Sequence, residues 1–563
     1  MHNQLLLLLL LSFSMVELQV VAQTANCTNA SSSAYLESPT LKAAISNTGY
    51  LFIDDTGASL FVGTDTSGGN SEAATIYSSS LWFGAQNSQG EIKLVAPTYG
   101  WPQGAYVAGP LNPATGQAEQ PVCANFNRLW TVSAQEIESH LTDWADNGVI
   151  DQPQEAVMAW PARNNPHFEA YNGFPMPYND IKLAPFFDYN GDGAYNPLDG
   201  DYPDIGLAEI PPHQIYWCVY NTSEIGLQIA QTAWIYNCTG NSPLNRSVFL
   251  RFDLTYLGAT PLTDAYAGFW SDPDLGCYID DFIGSYPAGN ACFIYNADNV
   301  DGIACSCQNN IAAFCNQIPV QSIVLLNRPI SNFIAFNNPS VGNVPWPLTD
   351  PASPLEYYHS LRGFWRDGSP MTFGDNGYQG AGPLTSFLYS GDPRNPNNWS
   401  MMQLNSTIQY VDYRTLLNTQ LGYISPGQQI QLDYALAFHL HPDPSYWLDH
   451  IGAMYEEVDW LRDWYSSTAP TCERPLSVGT FTPLTTSAIL FPNPANDKLN
   501  ILFDNAAQRT LMVLDLNGRL CYSATTDVTN QCEIDCSNWP AGMYLLQINS
   551  AGSPPEMLRW LKQ

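Results

Sequence analysis

Residues 188–199, DYNGDGAYNPLD, carry the most specific chemistry in the chain. Asp188, Asn190 and Asp192 stand at alternate positions, Gly193 follows them, and Asp199 closes the run. A hard cation such as Ca²⁺ wants six to eight oxygens, and in a tight loop it takes them from side chains at positions 1, 3, 5 and 12 and from a carbonyl at 7. That spacing makes Asp188, Asn190, Asp192 and Asp199 the side-chain ligands, Ala194 the carbonyl donor, and calcium the expected cofactor. Asp199 is shorter than the Glu usual at the last position, so Asp201 is an alternative. The competing reading is a solvated Asn/Asp/Gly turn. Pro185 and Pro203 bracket the loop and disfavour flanking helices, which points to a structural clip rather than a sensor.

A second acidic group comprises Asp272, Asp274, Asp280 and Asp281, with Asp253 upstream. Residues 252–327 contain eight Asp and no Lys or Arg, so these carboxylates have no cation nearby in sequence. Hydrated surface charge is one expectation, a second metal site another, and a carboxylate pair acting on a glycoside a third. His439 and His441 share a strand face and His450 follows, but no third ligand stands at a recognised zinc spacing and no H-E-x-x-H occurs. Cys305, Cys307 and Cys315 lack a fourth ligand at finger spacing, which favours disulfides. No G-x-S-x-G elbow or P-loop is present, so no catalytic residue is nominated.

The elements that must position these residues are β-strands. The 563 residues include 42 Pro and 40 Gly, 45% are hydrophobic and 13% aromatic, a balance of many turns and flat apolar surfaces that disfavours a helical bundle. Length alone predicts about three or four domains. Against 52 Asp and Glu stand 19 Lys and Arg, a net charge of −33, which repels phosphate backbones and anionic headgroups and excludes nucleic acid as a partner. Leu5–Leu11 followed by Val20-Val21-Ala22 reads as a signal peptide over 1–22, and no later run of about 18 apolar residues predicts a transmembrane helix. Export into an oxidising compartment would let some of the 13 Cys pair.

Strand-length apolar runs recur at 214–220, 229–237, 247–257, 265–271, 322–327 and 430–440. They predict a mainly β, sandwich-like body over 23–466, with a possible subdivision near 205. Two helices are expected, one at 134–145 behind a Ser133/Glu136 capping box and one at 445–465 behind Asp443-Pro444. A Ser/Thr/Pro-rich linker spans 467–487.

From 488 to 563 short alternating runs repeat between turn residues, including Asn517-Gly518, and predict a small seven-stranded Ig-like β-sandwich. This stretch carries seven acidic and five basic groups, so the acidity belongs to the body. Phe491-Pro492-Asn493-Pro494-Ala495, the turn around Gly518, and Pro540-Ala541-Gly542-Met543-Tyr544-Leu545-Leu546 resemble the type A C-terminal sorting domain of the type IX, or Por, secretion system. The resemblance implies a Gram-negative cargo protein that reaches the cell surface or the medium through the periplasm. Its implied partners are the secretion machinery and, in cargo that is retained, surface lipopolysaccharide or glycan. The body, through Leu81-Trp82-Phe83-Gly84, Trp160-Pro161-Ala162, Ala184–Pro203 and Ser271–Gly276, resembles a recurrent cargo type with no assigned activity. Together these features lead to the expectation of a calcium-stabilised adhesion or extracellular structural protein, with a secreted glycan- or peptide-hydrolase as the alternative.

Overall fold

The computed structural model describes the chain except 1–26, 28, 55–56, 63–72, 100–105, 179–182, 208–210, 308–310, 341–343, 405–411, 442–443, 468–470, 473–487, 492–494, 516–519, 551–555 and 563. The expected signal peptide and most of the expected linker therefore lie outside the described residues. The chain divides into two compact units, Met1–Arg474 and Pro475–Gln563, fewer than length alone predicts.

The first unit is framed by its two largest sheets, both antiparallel, beside a four-stranded sheet within 33–76 and two two-stranded ones. The larger has nine strands, running from Trp130–Ser133 through Gln214–Thr222, Leu227–Ile235, Ser247–Tyr256, Gln429–His439, Val320–Leu325 and Ala291–Asn296 to Asp281–Tyr286, with Val107–Ala108 added beside Gln214–Thr222. The smaller has five, in the order Asn332–Asn337, Tyr413–Ile424, Leu262–Asp272, Ser78–Gln86 and Ile92–Val95. Their facing sides share one core: Phe269 of the smaller sheet lies 4.9 Å from Tyr434 and 6.4 Å from Phe252 of the larger, centroid to centroid. Trp130 pairs with Trp217 across a ladder, so the polypeptide on either side of residue 205 belongs to one sheet.

Both sheets are buried on both faces, which explains why their strands read as continuous apolar runs rather than alternating ones. The helix Pro354–Leu361 covers the five-stranded sheet. It comes so close that a Cβ at Gly84 would stand 2.6 Å from Leu361, and one at Gly268 2.9 Å from it. The helix Asp449–Ser466 covers the nine-stranded sheet with Ile451, Met454, Val458 and Leu461, all buried. Its start differs from the sequence expectation. Ser445 and Tyr446 donate their backbone N–H groups to Asp449 Oδ2, forming a turn that delays the helix, while Asp443 lies outside the described residues. The helix Ala134–Asn147 forms as expected, with Ser133 and Glu136 satisfying each other's backbone donors in a capping box.

The second unit has the expected seven strands in two sheets, Ala488–Phe491, Lys498–Ala507 and Thr529–Asp535 in one, and Leu520–Thr525, Arg509–Asp515, Gly542–Ser550 and Glu556–Lys562 in the other. Alternate residues Leu499, Ile501, Leu511, Val513, Ile534, Leu546 and Ile548 form its core. No helix among the described residues is long and apolar enough to cross a membrane.

Candidate functional site

The loop after Phe187 is a hairpin whose base is the two-residue ladder Phe186↔Pro203 and Phe187↔Tyr202. Within it every predicted acid is used to shape the turn. Asp188 Oδ1 and Oδ2 accept from the N–H groups of Gly191 and Gly193 at 2.7 and 2.8 Å. Asn190 Oδ1 accepts from Asp192 N–H at 2.9 Å and Asp192 Oδ1 from Ala194 N–H at 2.8 Å. Gly191 and Gly193 take φ of +75° and +78°, a conformation that glycine adopts without strain. Asp199 sits in a short 3-10 turn and accepts from the Asn196 amide at 2.6 Å. The carboxylate set against Asp188 and Asp192 is Asp201, fully buried and held by the N–H groups of Tyr189 and Asn196, both at 2.8 Å. Burial raises the Asp201 pKa, the two N–H groups lower it, and Asp188 and Asp192 raise it further.

The four acids expected as one second group separate into two, and neither is a hydrated surface run. Asp272 ends the strand Leu262–Asp272, opposite the start of Tyr413–Ile424, where Asp412 and Arg414 stand. Single carboxylate oxygens of Asp272, Asp274 and Asp412 lie within 4.8 Å of one another. The cation that sequence proximity denied them arrives from residue 414. Arg414 Nη2 reaches Asp272 Oδ2 at 3.3 Å, its Nη1 donates to the Asp412 carbonyl at 3.0 Å and pairs with the Asp412 carboxylate. Tyr99 completes the bridge, donating to Asp272 Oδ2 at 2.6 Å and accepting from Arg414 Nε at 3.0 Å. Burial pushes Asp272 up to about 7 against the pull of Arg414, and burial likewise lifts neighbouring Asp350 to about 6.

Asp280 and Asp281 belong elsewhere, with Asp301. An oxygen of Asp280 and one of Asp301 lie within 4.8 Å of each other and of Cys277 Sγ. That sulfur is bonded to Cys307, so it offers no thiolate. Asp253 lies in the nine-stranded sheet opposite Gln431.

The histidines are already occupied. His439 is fully buried between Glu457, at 2.8 Å from Nδ1, and Ser322, at 2.8 Å from Nε2, and burial holds its pKa below the ordinary value. His450 Nδ1 accepts the His441 N–H at 2.8 Å. Among the described residues, two groups bring three His, Cys, Asp or Glu ligand atoms within 4.8 Å of one another; neither contains a histidine, and neither includes the hairpin acids, whose set also uses Asn190 and a backbone carbonyl. Of the cysteines, Cys27 pairs with Cys123, Cys238 with Cys472, and Cys277 with Cys307.

In the second unit, Pro492, Asn493, Pro494 and Gly518 lie outside the described residues. Gly542, Tyr544 and Leu545 open the strand Gly542–Ser550. Tyr544 is buried, donates to the Pro540 carbonyl at 2.9 Å, and stacks on Trp560 with centroids 5.2 Å apart. Leu545 is paired with Leu514 and Arg559.

No curated protein matches the chain. A solved structure of a polysaccharide lyase aligns with it at 9% identity and a TM-score of 0.22, over 70% of this chain and 42% of the lyase, a likeness too weak to carry an argument. Residues 489–556 match the family described as secretion system C-terminal sorting domain, a stretch that holds six of the seven strands of the second unit and reaches the start of the last, Glu556–Lys562. Residues 489–556 therefore carry a sorting domain of the type IX secretion system, which indicates export by that route to the cell surface or outside the cell.

Proposed function

We propose that the body is a calcium-stabilised β scaffold that acts outside the cell by adhesion or as extracellular structure, with surface glycan or lipopolysaccharide as its partner class. The observation that supports this most is the hairpin 188–201, where Asp188, Asn190 and Asp192 are held in a calcium-loop spacing against the buried Asp201. Asp201 replaces Asp199 as the closing carboxylate in this reading. Phe187 and Tyr189 flank Asp188 and are 42% and 59% exposed, which gives sugar rings an aromatic surface beside the cation. Glycan-array binding in calcium and in chelator tests the reading. Binding that requires calcium and is lost in Asp188→Ala/Asp192→Ala supports it, and equal binding in chelator refutes it. Deleting 489–563 should leave a folded body in the periplasm; efficient appearance of that truncated chain outside the cell would refute the role of the tail.

A second reading, hydrolysis of glycans or peptides, draws on the Asp272, Asp274 and Asp412 group. Retaining glycosidases place two carboxyl groups about 5–5.5 Å apart, one of them with a raised pKa. Against it, Asp272 and Asp412 are buried and engaged by Arg414, as a structural pair would be. Turnover of any polymer that disappears in Asp274→Asn would reverse the order of the two readings.

A further inference from the structure

The excursion between the strands Ala291–Asn296 and Val320–Leu325 carries Cys305, Cys307 and Cys315. Cys307 is bonded to Cys277. Cys305 and Cys315 are both thiols, and that of Cys315 shares a hydrogen bond with that of Cys305. The backbone brings the same two segments together. Ile303 and Ser306 exchange N–H···O bonds at 3.0 and 3.1 Å, closing a two-residue turn with Ala304 and Cys305 at its corners. Asp301 donates its backbone N–H to the Cys315 carbonyl at 2.8 Å, and its carboxylate accepts from Phe314 N–H, so the Cys315 segment lies against the base of that turn. Gly302, at φ +74°, permits the close approach: a Cβ there would stand 2.6 Å from the Ser306 carbonyl oxygen.

Both sulfurs are carried on backbone that resists its conformation. Ala304, Cys305 and Cys315 have φ of +52°, +65° and +59°, a left-handed region that residues with a Cβ rarely adopt. A two-residue turn with both corners at positive φ is ordinarily built from Asn and Gly. Strained residues persist where the surroundings over-determine them, and a bond between the two sulfurs would do so. A metal is the competing use of paired thiols. Among the described residues, however, no third Cys, His, Asp or Glu brings a ligand atom within 4.8 Å of both sulfurs, and a zinc site takes three or four protein ligands. Access also sets this pair apart. Cys305 is exposed and Cys315 half-buried, whereas Cys218 and Cys292, the other thiols of the body, are buried. The hydrogen bond with Cys305, then burial, then the charges of Cys305 and Asp301 push the Cys315 thiol up to about 11, so Cys315 keeps its proton until Cys305 has reacted.

We propose that Cys305 and Cys315 form a solvent-accessible thiol–disulfide site, closed outside the cell and opened by low-molecular-weight thiols. Closure is an exchange with a disulfide-bearing oxidant of the oxidising compartment. The Cys305 thiolate attacks one sulfur of the oxidant and expels the other as a thiolate, which leaves a mixed disulfide on Cys305. Cys315, losing its proton, attacks the Cys305 sulfur, forms the Cys305–Cys315 bond and expels the second half. Two cysteine thiols are oxidised by two electrons, and the oxidant leaves as two thiols that carry the two protons. Cys305 and Cys307 are two positions apart, so closure ties the Cys315 segment to the anchor made by Cys277 and Cys307, and opening leaves that anchor in place.

Thiol mapping of the full chain, recovered from outside the cell without reductant, tests the proposal. Alkylation in denaturant is expected to leave Cys305 and Cys315 unlabelled, and labelling of both in the unreduced chain would overturn the proposal. In the native chain, titration with glutathione followed by alkylation is expected to label the two together. It should do so at roughly tenfold less thiol than Cys277 and Cys307 require, since exposed disulfides are the more readily reduced. Opening of all four at one concentration would refute the accessible site. Cys315→Ser is expected to leave Cys305 either alkylated or carrying a small thiol as a mixed disulfide, read by its mass. A bond from Cys305 to another cysteine of the chain would overturn the pairing.

Discussion

Asp272 and Asp280 are separated by eight positions in sequence and meet the same difficulty, a carboxylate buried at 4% and 8% exposure, in opposite ways. Asp272 is answered by a guanidinium carried on a neighbouring strand and by a tyrosine hydroxyl that bridges the two. Asp280, with Asp281 and Asp301, is answered by backbone N–H groups and the neutral Asn296 side chain, which position the oxygens but bring no net charge. The contrast teaches that a charge count along the sequence says little about charge balance in space. An antiparallel sheet can deliver a cation from 142 residues away as easily as from the next turn.

The largest expected effect follows from making the first group resemble the second. Arg414→Met removes the cation and leaves Asp272 and Asp412 buried without it, and should cost about 3–5 kcal/mol in denaturant unfolding. A loss under 1 kcal/mol would mean that Arg414 is incidental to both carboxylates. Next comes the exposed hairpin. Asp188→Ala/Asp192→Ala should forfeit the calcium-dependent part of the stability, about 2.7 kcal/mol at a hundredfold excess over Kd, while melting like the wild type in chelator. Tyr99→Phe removes the hydrogen bond to Asp272 and the one from Arg414 Nε but leaves the ion pair in place, so it should cost about 2 kcal/mol.

The last prediction is of direction only and concerns pH dependence. Burial raises the folded-state pKa of Asp272 from 3.8 to about 7, so the native state binds this proton more tightly than the unfolded chain does. Its contribution is fully present below the unfolded value and is lost as pH rises through the folded one. Wild-type stability, measured relative to Asp272→Asn, should therefore decline between about pH 4 and pH 7. A relative rise across that window would contradict the assignment.

How legible these features were follows from their physical range. The capping box of Ser133 and Glu136 is local, and the helix Ala134–Asn147 was readable from it. The alternation of the second unit is also local, and its seven strands were readable, as were the central strands of the body. The closing helix was misjudged at its start because the side chain of Asp449, four residues beyond Ser445, competes for the donors that would otherwise begin it. The four acids of 272–281 were noticed, but Asp412, Asp350 and Asp301 were not. Asp412 and Asp350 lie far from 272–281 in sequence, and Asp412 meets Asp272 only through strand pairing, while Asp301 is one of the eight Asp of 252–327 whose place beside Asp280 depends on the fold and the Cys277–Cys307 disulfide. Tyr99 and Arg414 left no signal at all, because their roles rest on tertiary distances.

The disulfide between Cys238 and Cys472 has a mechanical meaning for a protein displayed outside a cell. Cys472 lies two residues before the boundary between the units, and Cys238 stands three residues beyond the end of the strand Leu227–Ile235. Tension entering from the C-terminal side passes through the sulfur pair to that strand, which is clamped on both edges by its neighbours. The intervening chain, whose ends are 234 positions apart, carries no load while the bond is closed. Reduction would place that hidden length, on the order of 800 Å when extended, under load, to be yielded only as the strands between the two cysteines unfold.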